Sequence, residues 1–305
     1  MKYIEWLNYW LENYVKPTSK QRTYDRYSQI VKNHLKNIGE FEIEQLNLRD
    51  LQQFVSTLIL GSEKKSPLSA STVNGIITVI QNSLKNACVM GYAKEYFADK
   101  IIRPKQMQTD VKCFTLKEQK LIEKAVLEDD KKPLFGVIIA LYTGLRIGEL
   151  LALKWEDIDF CKGILTVERS CHYGKVNGKF QKIIDAPKTN SSKRIVPIPK
   201  QLLPLFKAEK RKSHSPFVVA NGAKEIAVRV YQRRFQMLLK KLNIQYKSFH
   251  ALRHTFATRA IECGMDVKTL SEILGHKSAT ITLNRYVHSL IEHKKDMMNR
   301  LGKLL

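Results

Sequence analysis

Cysteine is scarce, with five in 305 residues, and poorly placed for its usual structural roles. Cys88, Cys113, Cys161, Cys171 and Cys263 are odd in number, and no two are spaced as C-x-x-C. That excludes a disulfide framework and a cysteine zinc site, and reduced thiols in a cytoplasm fit best. Long apolar runs are missing too. The longest, Leu134 to Leu145, is broken by Gly136. At about twelve residues it falls short of a membrane span, which takes roughly twenty. The first ten residues include Glu5 and Asn8 and lack the apolar core of a secretory signal. There is no internal repeat and no low-complexity tract. Acidic residues are few, 29 Asp and Glu against 52 Lys and Arg, for a net charge of +23. No acidic cluster stands near the basic motifs, which argues against a metal-dependent nuclease. The charge excess points to a polyanionic partner, with a merely basic soluble protein as the competing reading of charge alone.

The excess is uneven. Residues 1–110 carry 15 basic and 11 acidic side chains, whereas residues 111–305 carry 37 and 18. The second part should therefore dominate phosphate attraction, and salt should weaken it. A chain of this length suggests two domains. The first hundred residues show four helical stripes. Ile4, Leu7, Leu11 and Tyr14 form one, ended by Pro17. Tyr24, Tyr27, Val31, His34, Leu35 and Ile38 form another, closed by Gly39. Leu48, Leu51, Val55, Leu58 and Ile59 follow an Asn47 cap. Val73, Ile76, Ile77, Ile80, Leu84 and Ala87 follow Ser69. Four such helices predict a small bundle over 1–105.

A polar, basic linker is expected at 106–112, approached through Arg103, Pro104 and Lys105. A second domain, 113–305, opens on Thr115 and Glu118 at capping-box spacing. There the pattern predicts helices over 133–143, from near Arg146, and over 228–242, 248–263, 267–274 and 279–291. Short strands are predicted over 163–170, 179–186 and 194–199. The fold class expected is mainly α (α+β), a helical bundle followed by a mixed domain of helices with a small antiparallel sheet.

Three local patterns carry chemistry. They are Thr143-Gly144-Leu145-Arg146-Ile147-Gly148-Glu149-Leu150, then His250-Ala251-Leu252-Arg253-His254-Thr255-Phe256, then Leu274-Gly275-His276 with Tyr286 ten residues on. In order, spacing and context the chain closely resembles the tyrosine recombinases, the phage-integrase family. The resemblance covers nearly the whole chain and is most specific over about 112–305. It implies an N-terminal SAM-like core-binding bundle and a catalytic domain that together clamp duplex DNA. Many integrases carry a further small N-terminal domain for arm-type sites, whereas this sequence begins directly at the core-binding pattern.

The chemistry agrees. Phosphodiester cleavage passes through a five-coordinate phosphorus with extra negative charge, which a metal-free site must offset with fixed donors. Arg146 and Arg253 suit that task, because guanidinium is a rigid bidentate fork. Gly144 allows close backbone approach just before Arg146. Glu149, one turn on, either orients Arg146 or is a solvated carboxylate near a helix start. His250 stands three residues before Arg253, so the two can share a helix face. The resemblance implies that His250 assists proton transfer with the tyrosine. His254 reads as a packing residue. A zincin would need Glu where Ala251 stands, so no metal is expected. His276, after Gly275, can donate to a phosphate oxygen or merely cap a helix.

The resemblance makes Tyr286 the nucleophile, displacing the 5′ oxygen and leaving a 3′-phosphotyrosine that conserves the bond energy, without ATP, metal or other cofactor. It makes Lys188, in Ala186-Pro187-Lys188-Thr189, the donor of a proton to the leaving oxygen. Lys193 and Arg194 read as phosphate-backbone contacts, with a generic basic turn as the alternative. Arg103 and Lys105 are further DNA-binding candidates. The implied partners are double-stranded DNA, a homotetramer on synapsed sites, and accessory directionality or bending proteins, with no membrane. A mobile-element or phage integrase is the expected function. A type IB topoisomerase and an inactive DNA-binding scaffold remain as alternatives at this point.

Overall fold

The computed structural model describes residues 1–61, 66–106, 112–130, 133–176, 179–185, 193–222, 224–276, 278–280, 298, 299 and 302, with backbone alone at 175, 176, 179, 180 and 224. Lys188 and Tyr286 lie outside the described residues. The chain packs as two compact units, Met1–Thr109 and Asp110–Leu305.

Among the described residues, the elements of the first unit are all helices. Helix α1 (Tyr3–Trp10) continues through a π-helical turn, Leu11–Val15, into α2 (Lys16–Thr18). Pro17 stands one residue before the helix end at Thr18, with Ser19 extended beyond it, so the segment closes where the sequence put it. The wider π turn just before Pro17 loosens the ladder that a proline would otherwise break. Helix α3 (Gln21–His34) leads into α4 (Lys36–Gly39), then α5 (Leu48–Leu60) and α6 (Ala70–Val89). Both expected caps form. Asn47 Oδ1 accepts from the Asp50 amide at 3.1 Å, and Ser69 Oγ from the Thr72 amide at 3.3 Å. The stripes meet in one core, where Trp6, Leu7, Leu35, Leu51, Val55, Val73, Ile76, Ile77 and Ile80 are fully buried. Buried aromatics satisfy their polar ends on α6. Tyr3 Oη shares a hydrogen bond with Ser83 Oγ at 2.7 Å, and the Trp6 indole donates to the Ser83 carbonyl at 3.0 Å. Gly39 is needed for close packing, since a Cβ there would lie 2.8 Å from Ile4 Cβ.

The second unit begins with α7 (Leu116–Leu127), whose capping box forms as expected. Thr115 Oγ1 accepts from the Glu118 amide and Glu118 from the Thr115 amide. The very apolar α8 (Phe135–Thr143) is almost wholly buried. Gly136 breaks its sequence because a Cβ would sit 2.6 Å from Tyr231 Oη. The helix expected from Arg146 is a single turn, α9 (Ile147–Leu150).

The strands are more numerous than expected. β1 (Ile158–Asp159), β2 (Ile164–Val167) and β5 (Arg194–Pro197) form an antiparallel sheet in the order β1-β2-β5. β3 (Ser170–Val176) and β4 (Lys179–Asp185) form a separate hairpin. The single strand predicted over 163–170 is therefore split between β2 and the start of β3. The buried Lys182 docks the hairpin. Its Nζ donates to the Leu151 carbonyl at 3.0 Å, pairs with Glu225 at 3.3 Å and lies 4.6 Å above the Phe217 ring. Helix α10 (Leu203–Lys212) and the short pair β6 (Ala220–Asn221) and β7 (Lys224–Glu225) were not anticipated. They are short, and α10 is dominated by exposed basic residues. Helices α11 (Val228–Lys241), α12 (His250–Glu262) and α13 (Val267–Leu274) fall where the periodicity put them. The helix expected over 279–291 lies almost entirely outside the described residues.

Candidate active site

The site is organised by the end of α13. A helix leaves its last four carbonyls without helical partners. Here Gly275 adopts the left-handed conformation (φ +63°) and closes a Schellman motif. The Gly275 amide donates to the Glu272 carbonyl at 3.0 Å and the His276 amide to the Ser271 carbonyl at 3.1 Å. Two of the four orphan carbonyls are thereby satisfied. The other two, of Ile273 and Leu274, together with that of Gly275, accept hydrogen bonds from three arginines of distant sequence.

Arg253, 2% exposed on the first turn of α12, donates through Nη2 to the Leu274 carbonyl and through Nη1 to the Gly144 carbonyl, both at 2.7 Å. Arg146, just before α9, donates through Nη1 to the Leu274 carbonyl at 3.3 Å and through Nη2 to the Gly275 carbonyl at 3.2 Å. Arg194 donates through Nε to the Ile273 carbonyl at 2.5 Å. The negative end of the α13 dipole favours cations here, and the carbonyls fix the planes of the guanidiniums. The sequence patterns around Arg146 and Arg253 therefore meet at the third pattern, Leu274-Gly275-His276.

Two glycines make this approach possible. Gly144 ends α8 in the left-handed conformation (φ +64°), turning its carbonyl towards Arg253. A Cβ at Gly144 would lie 2.5 Å from the Phe256 ring and 2.7 Å from Leu274 Cδ2. A Cβ at Gly275 would lie 3.0 Å from Arg194 Cδ.

Glu149 takes the orienting reading left open by the sequence. It is 6% exposed and accepts from Arg146 twice, from the backbone amide at 2.9 Å and from Nη1 at 2.8 Å. Arg194 donates to both of its oxygens, at 2.8 and 3.2 Å. Burial alone would raise the pKa of this carboxyl. The hydrogen bonds and charge of Arg194 outweigh that, with the charge and amide of Arg146, and hold it at about 2.

The remaining candidates are placed unevenly. His250 is exposed at the start of α12, and its ring packs edge-on against His254, centroids 4.5 Å apart. So His250 and Arg253, three apart, share a helical turn but not a degree of burial. His276 is half-buried at the Schellman turn. Lys193 and Lys105 are exposed. Arg103 is exposed but tied back to α6, donating to the Asn74 carbonyl, Thr78 Oγ1 and Gln81 Oε1 at 3.2, 3.3 and 2.6 Å. Arg194 departs from its sequence reading as a phosphate contact. Its side chain is 6% exposed and committed to Glu149 and Ile273. The reason is strand alternation: Arg194 and Val196 face inward from β5, while Ile195 points out. Sequence reasoning missed the three accepting carbonyls altogether. The glycine after Leu274 was the available signal for them. Among the described residues, no group of three or more His, Cys, Asp or Glu could hold a metal ion, and no helix is long and apolar enough to cross a membrane.

Comparison with known proteins identifies the family and the fold. The phage integrase family matches residues 112–293, and the N-terminal SAM-like domain of phage integrases matches residues 3–59. A XerC-like tyrosine recombinase of Caldanaerobacter subterraneus is 31% identical over 97% of this chain and 81% of its own length. The ICEBs1 integrase of Bacillus subtilis is 26% identical over 94% of this chain and 79% of its own. The Tn1549 transposon integrase, solved with a circular-intermediate DNA, shares the fold with a TM-score of 0.80 at 21% identity over 99% of both chains. With the first of these matches spanning more than half of the chain, and one relative nearly a third identical along almost all of it, the chain belongs to the phage integrase family: it is a tyrosine recombinase, a site-specific enzyme that cleaves and rejoins DNA.

Proposed function

We propose that the chain integrates and excises a mobile element or phage, working as a homotetramer on two synapsed double-stranded DNA sites, with Tyr286 as nucleophile. The carrying observation is the convergence of Arg146 and Arg253 on the end of α13, where carbonyls hold both guanidiniums before any substrate arrives. Such preorganised donors lower the cost of the charge that develops on phosphorus, because nothing need reorganise at the moment of reaction.

In the proposed step the Tyr286 oxygen forms a bond to phosphorus and the bond to the 5′ oxygen breaks. Arg146, Arg253 and His276 hold the non-bridging oxygens. His250 takes the phenolic proton, and its exposure at the start of α12 leaves it accessible to an incoming strand. Lys188 protonates the leaving oxygen. Reversal by a 5′ hydroxyl of the partner strand rejoins DNA without ATP. Lys193, Lys105 and Arg103 meet the phosphate backbone, in keeping with the +23 net charge. The N-terminal unit acts as the core-type DNA-binding domain, joined by the basic linker. Accessory directionality or bending proteins complete the assembly, and the reaction takes place in the cytoplasm.

The test uses a nicked suicide duplex carrying a core site chosen by selection from random DNA. In excess chelator, a covalent protein–DNA band on a denaturing gel is expected for the wild type and none for Tyr286→Phe. No band from wild type on a site it binds would overturn the reading. Relaxation of supercoils without strand exchange would make the chain a topoisomerase instead.

A further inference from the structure

We infer that Arg194 is a positioning residue of the cleavage reaction, acting through Glu149 on Arg146 rather than touching DNA. The inference rests on the function proposed above.

Three features carry it. First, Arg194 and Glu149 form a bidentate pair in which both side chains are 6% exposed. A buried pair of this kind is geometrically strict, and removing one partner leaves the other charge uncompensated. Second, Glu149 is the only residue among the hydrogen bonds described that holds Arg146 at both backbone and side chain. Whatever fixes Glu149 therefore fixes one of the two supports of the Arg146 fork. Third, Arg194 also grips the Ile273 carbonyl, next to the Leu274 carbonyl that Arg253 and Arg146 share. One side chain therefore braces both supports of Arg146, the carboxylate on α9 and the carbonyl shelf of α13.

The packing shows that this contact is built in. Arg194 fills the space beside Gly275 so closely that a Cβ there would lie 3.0–3.2 Å from its Cδ, Nε and Nη1. Across the sheet it pairs in register with Val167, and Val196, its inward-facing neighbour on the strand, is 1% exposed. A surface phosphate contact would need neither the inward register nor the carboxylate. A lysine at 194 could supply a charge but not two parallel N–H donors plus a third for the carbonyl.

The test measures single-turnover covalent complex formation at saturating protein, and DNA affinity by gel shift, for Arg194→Ala, Arg194→Lys, Glu149→Gln and the double variant Arg194→Ala/Glu149→Gln. Wild type and Tyr286→Phe run alongside. Arg194→Ala is expected to slow cleavage about 100-fold, the cost of misplacing a reacting group by about an ångström, with affinity within about threefold. Arg194→Lys should recover part of the rate. In the Glu149→Gln background, Arg194→Ala should slow cleavage by less than about threefold more, because the two residues act as one unit. If Arg194→Ala unfolds the chain, by thermal melt, the lysine variant carries the comparison. Three outcomes overturn the role: a wild-type cleavage rate in Arg194→Ala and Arg194→Lys, a loss confined to affinity, or effects of the two substitutions that multiply. While wild type cleaves and Tyr286→Phe does not, such a result sinks only the role of Arg194. No cleavage by wild type sinks the proposed function and this role with it.

Discussion

The two units share local caps and long-range hydrogen bonds, but they use their helix ends differently. In the N-terminal unit the helix caps are local, Asn47 to Asp50 and Ser69 to Thr72. In the catalytic unit the decisive hydrogen bonds span the sequence, from Arg253 to Gly144, Arg146 to Leu274 and Arg194 to Glu149. The first is a scaffold whose helices close themselves. The second leaves a helix end open, and its carbonyls hold guanidiniums instead. A helix terminus is ordinarily a defect to be capped, and here part of the defect becomes the foundation of the site.

The sharpest way to break this contrast is at Gly144. Gly144→Ala forces a left-handed residue to carry a Cβ against Phe256 and Leu274. We expect it to cost about 2–4 kcal/mol and to abolish detectable cleavage. Hydrogen exchange should show lost protection in α8, α12 and α13 with α1–α6 unchanged, and protection lost equally in both units would refute the contrast.

A second, smaller effect comes from pH. The Glu149 pKa is depressed, so its stabilisation is complete above the ordinary carboxylate range and is lost as pH falls towards about 2. A depression from 4.5 to about 2 corresponds to about 3 kcal/mol. Melting of the catalytic unit should therefore fall between pH 4 and 2, and Glu149→Gln should flatten that fall. A wild-type curve superimposing on that of Glu149→Gln would remove the role given to this carboxylate. Glu12 in the N-terminal unit is also held low, by Lys16 and then Tyr24, but it is exposed to solvent and should leave no comparable trace.

The smallest effect is the local one. Asn47→Ala removes one cap and should cost about 1 kcal/mol, seen as a lowered melting temperature with exchange increased at the start of α5 alone. Loss of protection in α12 would contradict the separation of the two units.

Much of this protein was legible before its structure. The apolar stripes located α1, α3, α5 and α6, and the Gly144, Arg253 and Gly275 patterns pointed to one site. Short elements were harder. β3 and α10 carry little periodic apolar signal, so their existence depends on what they dock against, such as Lys182 on the Leu151 carbonyl. The sequence by itself determined the residue types: which helices have a buried face, where glycine must allow a left-handed turn, and which arginines, histidines and tyrosine stand as candidates for the chemistry. Only the tertiary structure decided that Arg194 turns inward to Glu149, and that the carbonyls of Ile273, Leu274 and Gly275 receive three guanidiniums. Backbone carbonyls are the same at every residue and leave no mark in a sequence, and the partners of a buried charge are set by strand register and helix packing between segments far apart in sequence, 45 residues for Arg194 and Glu149 and 128 for Arg146 and Leu274.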